Sequence, residues 1–128
     1  MDRYEYTHAR YVEVPSPVRD RVTDKYGFVS PKGKVIGKVI YDRVWPFEGL
    51  KGYAIVQLNG LTGIVDKSIK FVVPPIFFNF IEMPNSIVVT KVVDKIGLRE
   101  VAEYLFSELS PKKTNHNTIK AIFRIKHT

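Results

Sequence analysis

The chain of 128 residues contains no cysteine. That excludes disulfides, thiolate nucleophiles and Cys-based metal sites together, leaves apolar burial to hold the fold, and fits a cytoplasmic setting. Histidine is nearly as scarce: His8, His116 and His127 stand in terminal or loop contexts, none at ligand spacing from another histidine or a carboxylate, so no metal or other cofactor is expected. No apolar run is long enough for a membrane span. The longest, FVVPPIFFNFI at 71–81, is broken by Pro74, Pro75 and Asn79, and MDRYEYTHAR lacks the apolar core of a signal peptide, so no membrane partner is expected. Acid is missing from one end. Residues 1–108 hold 15 Lys and Arg against 13 Asp and Glu, whereas residues 109–128 hold Lys112, Lys113, Lys120, Arg124 and Lys126 against none. An anionic partner would therefore be sought at the carboxyl end.

What is present is a globular composition, 45% hydrophobic and 12% aromatic, at the length of a single domain. It is punctuated by glycines at intervals. Gly27, Gly63 and Gly97 lie 36 and 34 residues apart, in TDKYGFVS (23–30), NGLTGIVD (59–66) and VDKIGLRE (93–100). Each follows a turn pair (Asp24-Lys25, Asn59-Gly60, Asp94-Lys95) after one intervening residue, or two in the second copy, and each precedes an apolar residue. Such spacing marks a repeat architecture. The match continues downstream, where PKGKVIGKVIYDRVWPF runs parallel to DKSIKFVVPPIFFNFIE and sets Tyr41 against Phe77. Both copies then reach β-branched segments, GYAIVQL (52–58) and SIVVTKVV (86–93), and Asn59-Gly60 is the strongest hairpin signal in the chain. A single glycine within each strand points to a bend or a close backbone approach rather than to a phosphate cradle, which would need a cluster.

The run KYGFVSPKGKVIGKVIYDRVWPFEGLKGYAIVQLNG resembles one whole unit of the WG-repeat family of bacterial β-repeats, and LTGIVDKSIKFVVPPIFFNF resembles the opening half of a second. The resemblance covers about residues 22–99, with Tyr26, Thr62 and Ile96 standing where the family's signature tryptophan would be. It implies a mainly β, antiparallel repeat domain and no catalytic residues. The expected organisation is a cap at 1–22, repeats at 23–58 and 59–92, and a divergent third unit at 93–128, within one domain.

Both ends depart from the period. YVEV (11–14) and VRDRVT (18–23) alternate around Pro15-Ser16-Pro17, which predicts an amino-terminal hairpin. In LREVAEYLFSEL the residues Leu98, Val101, Ala102, Leu105 and Leu109 share one helical face, which favours a short helix over 98–109, although continuity of the repeat would require strands. TIKAIFRIKH predicts a last strand in which Ile119, Ala121, Phe123 and Ile125 alternate with Lys120, Ile122, Arg124 and Lys126.

Groups for catalysis are sparse. GKVIGKV (33–39) has the wrong spacing for a Walker loop, and Asp42, Glu48, Asp66 and Glu82 have no sequence reason to meet, so an enzyme is not expected. Binding is the better prospect, on two surfaces. An aromatic set, Trp45, Phe47, Phe78 and Phe80, would dock a partner protein, since aromatics and arginine dominate interface hot spots. A basic set, Lys112, Lys113, Lys120, Arg124 and Lys126, would follow the phosphates of a nucleic acid or ribonucleoprotein. The first reading makes the chain a non-catalytic interaction module. The second makes it a nucleic-acid binder, or an inhibitor or adaptor of a nucleic-acid machine, with the general profile of phage-encoded inhibitors such as anti-CRISPR proteins.

Overall fold

The computed structural model describes residues 3–47, 52–92, 98–109 and 119–126. Within them, twelve strands follow the chain as three antiparallel sheets of four. The first sheet holds β1 (Tyr4–Tyr6), β2 (Ser16–Asp20), β3 (Tyr26–Val29) and β4 (Val35–Tyr41) in sequence order. The second holds β5 (Arg43–Val44), β6 (Tyr53–Leu58), β7 (Leu61–Asp66) and β8 (Phe71–Phe77), and the third β9 (Asn79–Glu82), β10 (Ser86–Val92), β11 (Leu98–Leu105) and β12 (Ile119–Lys126). Among the described residues no helix is long and apolar enough to cross a membrane.

The sheets stack face to face with the second in the middle. Its central strands bury consecutive residues, Ala54, Ile55 and Val56 on β6 and Ile64 and Val65 on β7, because both of their faces are covered. Ala54, Val56 and Val65 join Phe28, Tyr41 and Phe47 in one core, shared with the first sheet. Ile55 and Ile64 join Ile87, Val89, Ala102 and Tyr104 in another, shared with the third. A single residue connects each pair of layers: Asp42 lies between β4 and β5, and Phe78 between β8 and β9. Both turn the corner identically, Asp42 N–H donating to Gln57 O at 2.8 Å and Phe78 N–H to Thr90 O at 3.0 Å. The residues just before the corners, Tyr41 and Phe77, each meet an aromatic of the following sheet edge-on, Phe71 and Tyr104, at 6.2 Å.

The repeat of the sequence is thus staggered against the sheets. A unit such as 23–58 supplies the last two strands of one layer and the first two of the next, so the covalent chain itself ties neighbouring layers. Turns confirm the 36-residue offset. Gly33 N–H donates to Ser30 O and Ser30 N–H to Lys34 O, as Ile69 N–H donates to Asp66 O and Asp66 N–H to Lys70 O. The Asn59-Gly60 turn has φ of 53° and 79°, the left-handed pair that a two-residue hairpin requires.

The strand glycines lie beneath bulges. Register shifts in β4 and β8 fall opposite Gly27 and Gly63, folding the neighbouring strand over them. A Cβ on Gly63 would lie 2.7 Å from Val73 O and 2.9 Å from Pro75 N, and one on Gly27 would lie 2.9 Å from Val39 Cα. Close backbone approach therefore accounts for both glycines. Gly97 lies outside the described residues. Register places Ala102 opposite Val89, as Gly63 is opposite Val56 and Gly27 opposite Val18, so in the third sheet an alanine holds the glycine's ladder position.

The same register explains why the stack ends. Phe28 and Ile64 face the next layer from equivalent positions, and the third sheet has Glu103 there, accepting a hydrogen bond from Ser86 Oγ at 2.7 Å. A carboxylate in the centre of a sheet face opposes burial under a further layer. At the other end, Val18 and Val29 are fully buried on the first sheet's outer face, where Tyr11 N–H donates to Ser16 Oγ.

Both terminal expectations need correction. Residues 98–105 form a strand, followed by a 3-10 turn at Phe106–Glu108, rather than a helix over 98–109. The helical spacing is real, but a lone helix of this length is marginal, and β10 offers seven registered partners from Ser86 to Val92. The first hairpin pairs Tyr4–Tyr6 with Ser16–Asp20, not 11–14 with 18–23. Residues 11–14 form no ladder, whereas Pro17 fits a strand at fixed φ, and its carbonyl accepts from Thr7 N–H at 3.2 Å.

Two outcomes follow. Gly63→Ala forces a Cβ against the backbone of β8 and is expected to destabilise by about 1–3 kcal/mol, read from urea unfolding; an unchanged midpoint would remove the close-approach account. Asp20 has only 2% of its surface exposed and accepts from the Arg3 guanidinium at 2.9–3.1 Å and from Val22 N–H. Chiefly through Arg3, against the opposing effect of burial, its pKa is lowered to about 2. This is below the unfolded value of about 3.9, so its stabilisation is full above about pH 5 and is lost as the pH falls through 4 towards 2. In Asp20→Asn the urea midpoint should fall less steeply across that window than in the unaltered chain.

Candidate interaction surface

The edge that carries the chain from layer to layer is where the aromatic residues gather, and the structure separates them by role. Phe47 is 2% exposed and lies edge-on to Phe28 at 5.3 Å, so it belongs to the core between the first two sheets. Trp45 is half-buried: its N–H donates to Ile55 O at 2.9 Å, and its ring lies edge-on to Phe80 at 5.2 Å. The pair bridges the second and third sheets, since Trp45 leaves β5 and Phe80 sits on β9. The Arg43 guanidinium lies 4.9 Å from the centre of the Trp45 ring, a cation–π contact.

Phe78 occupies the second corner and is 37% exposed. It stands among other exposed apolar side chains on one stretch of edge, Ile76, Ile81 (58%) and Met83 (47%). The equivalent corner at Asp42 is polar. Its carboxylate accepts from Gly60 N–H at 2.9 Å and Lys25 Nζ at 3.2 Å, and those two donors, the backbone one first, hold its pKa below the usual carboxylate range. Asp42 therefore fastens the Asn59-Gly60 turn to the corner, while Phe78 at the same place turns an apolar ring outward. This contrast between the copies, together with Ile76, was not singled out from the sequence. Aligning residues 41–47 with 77–83 shows it, because Trp45 and Phe47 correspond to Ile81 and Met83, which among the described residues have no further sheet beyond the third to pack against.

The basic set lies partly on β12. Lys112 and Lys113 lie outside the described residues, as do His116 and His127. On β12, Arg124 is registered with Glu100 and Lys126 with Leu98, while Lys120 falls at a register shift beside Tyr104. Among the described residues no group of three or more His, Asp or Glu is arranged to hold a metal ion.

Comparison with known families gives one match. Residues 26–61 fit the WG containing repeat. That segment is similar to a single WG repeat. The matched segment runs from β3 through β6 into β7, and so coincides with the unit that ties the first sheet to the second. No curated protein and no solved structure matched the chain.

The division between core and surface aromatics is directly measurable. Phe47→Ala should cost about 3–5 kcal/mol, a large share of a typical domain's stability. Phe78→Ala should cost about 1 kcal/mol or less. Equal losses in urea unfolding would contradict this assignment.

Proposed function

We propose that this WG-repeat chain is a non-catalytic interaction module that docks on a partner protein through the edge formed by residues 76–83. The observation that carries the reading is that Ile76, Phe78, Ile81 and Met83, all exposed, fall together within one eight-residue stretch of edge. An exposed aromatic flanked by apolar neighbours on a rigid strand edge has the make-up of an interface hot spot, and the ladder behind it limits the conformational entropy lost on binding. The neighbouring Trp45, Phe80 and Arg43 extend the surface with the residue types most enriched at such sites.

The test is affinity capture with the tagged chain from its native cells, compared with the triple variant Phe78→Ser, Ile81→Ser, Met83→Ser, each split into nuclease-treated and untreated halves. A protein held by the unaltered chain after nuclease treatment and lost from the triple variant, with thermal unfolding unchanged, is the expected outcome. Capture that disappears with nuclease would overturn protein docking and direct attention to Lys120, Arg124 and Lys126.

A further inference from the structure

Beside the first corner lies a small cleft of about 210 Å³, lined by Thr7, His8, Tyr26, Arg43 and Val44. It is formed where the segment after β1 meets β3 and β5, so three parts of the fold bring their side chains together there. The cleft is rich in donors. The Arg43 guanidinium makes no hydrogen bond or ion pair among the described residues and lies 4.9 Å from the centre of the Trp45 ring. The Tyr26 hydroxyl likewise has no hydrogen-bond partner among the described residues. His8 Nδ1 is engaged by Thr7 Oγ at 2.8 Å, and with that hydroxyl donating, the neutral ring keeps its proton on Nε2.

No carboxylate stands in the lining. The carboxylates nearest in sequence to its residues are already committed: Asp42 to Gly60 N–H and Lys25, and Glu5 and Asp24 to Arg19. A concave site offering a guanidinium, a phenol and an imidazole, with no carboxylate of its own, is complementary to an oxyanion. Its size narrows the choice. Pockets for small-molecule ligands generally measure about 300–1,000 Å³, so this one suits the head of a single side chain better than a nucleotide or a sugar. The guanidinium, 4.9 Å from the centre of the Trp45 ring, has the planar fork that matches a carboxylate through two parallel hydrogen bonds.

We propose that the cleft binds a carboxylate presented by an acidic segment of a partner protein, with Arg43 as its main anchor and Tyr26 and His8 as supporting donors. The identity of the occupant rests on the docking reading above, whereas the donor cluster does not depend on it.

Trp45 is the single tryptophan of the chain and a reporter adjacent to Arg43. Its fluorescence would be followed while the intact chain is titrated with a tetraglutamate peptide, a tetraglutamine peptide of equal length, and inorganic phosphate. A saturable change with tetraglutamate, weakened at least tenfold in Arg43→Gln and severalfold in Tyr26→Phe, is expected, with the thermal midpoints of both variants unchanged. An equal response to tetraglutamine, undiminished binding in Arg43→Gln, or saturation by phosphate with none by tetraglutamate would each overturn the assignment. A silent titration removes the cleft without touching residues 76–83. Failed capture from cells removes the docking edge and leaves the titration standing.

Discussion

A sheet with two apolar faces cannot stand alone in water, and the second sheet of this chain has two. Its strands satisfy their backbone groups within the ladder, but Ala54, Ile55, Val56, Ile64 and Val65 present methyl groups on both sides, each pair of faces being worth several kcal/mol of burial. The first and third sheets are the covers. The single-residue corners at Asp42 and Phe78 make that covering intramolecular, since a strand leaving one sheet has no choice but to begin the next. Layer order therefore follows chain order, and each unit of the repeat is divided between two layers.

Local strain is accepted where it serves the stacking. Ile69 has φ of 60°, at the turn position that Gly33 occupies in the preceding copy. A left-handed conformation costs a branched residue about 1–2 kcal/mol, whereas burying an isoleucine side chain yields about 1.5–3 kcal/mol. The side chain occupies the space above Gly37, where an added Cβ would lie 3.2 Å from it, and it is 8% exposed in the core of the first two sheets. Burial outweighs backbone strain there. The outward face of the third sheet shows the converse, where Glu103 with Ser86 replaces an apolar position and closes the stack.

Much of this was legible in the residues. Strand punctuation by Gly27 and Gly63, the Asn59-Gly60 hairpin and the correspondence of Tyr41 with Phe77 are local signals of period and turn chemistry, and the structure reproduces them. The third unit was not legible, because its helix-like spacing at 98–109 competes with pairing to β10 that only tertiary structure reveals. Nor could the sequence divide its aromatics into Phe47 in the core and Phe78 at the surface. Alternation tells which residues share a face, but not whether another layer covers that face. The Arg43 cleft was hidden for a similar reason, being assembled from residues 7, 8, 26, 43 and 44 by the meeting of two sheets.

The interaction reading depends on this architecture, since an edge can present Phe78 and its neighbours reproducibly only if the layers behind it form one cooperative unit. Native-state hydrogen exchange resolved by residue is the most direct test. The account predicts that the amides of Ile55, Val56, Ile64 and Val65 exchange slowest, through global unfolding alone, with protection falling towards β1 and β9. Slowest exchange in the first or third sheet, with the second opening independently, would contradict a fold built on a middle layer covered from both sides.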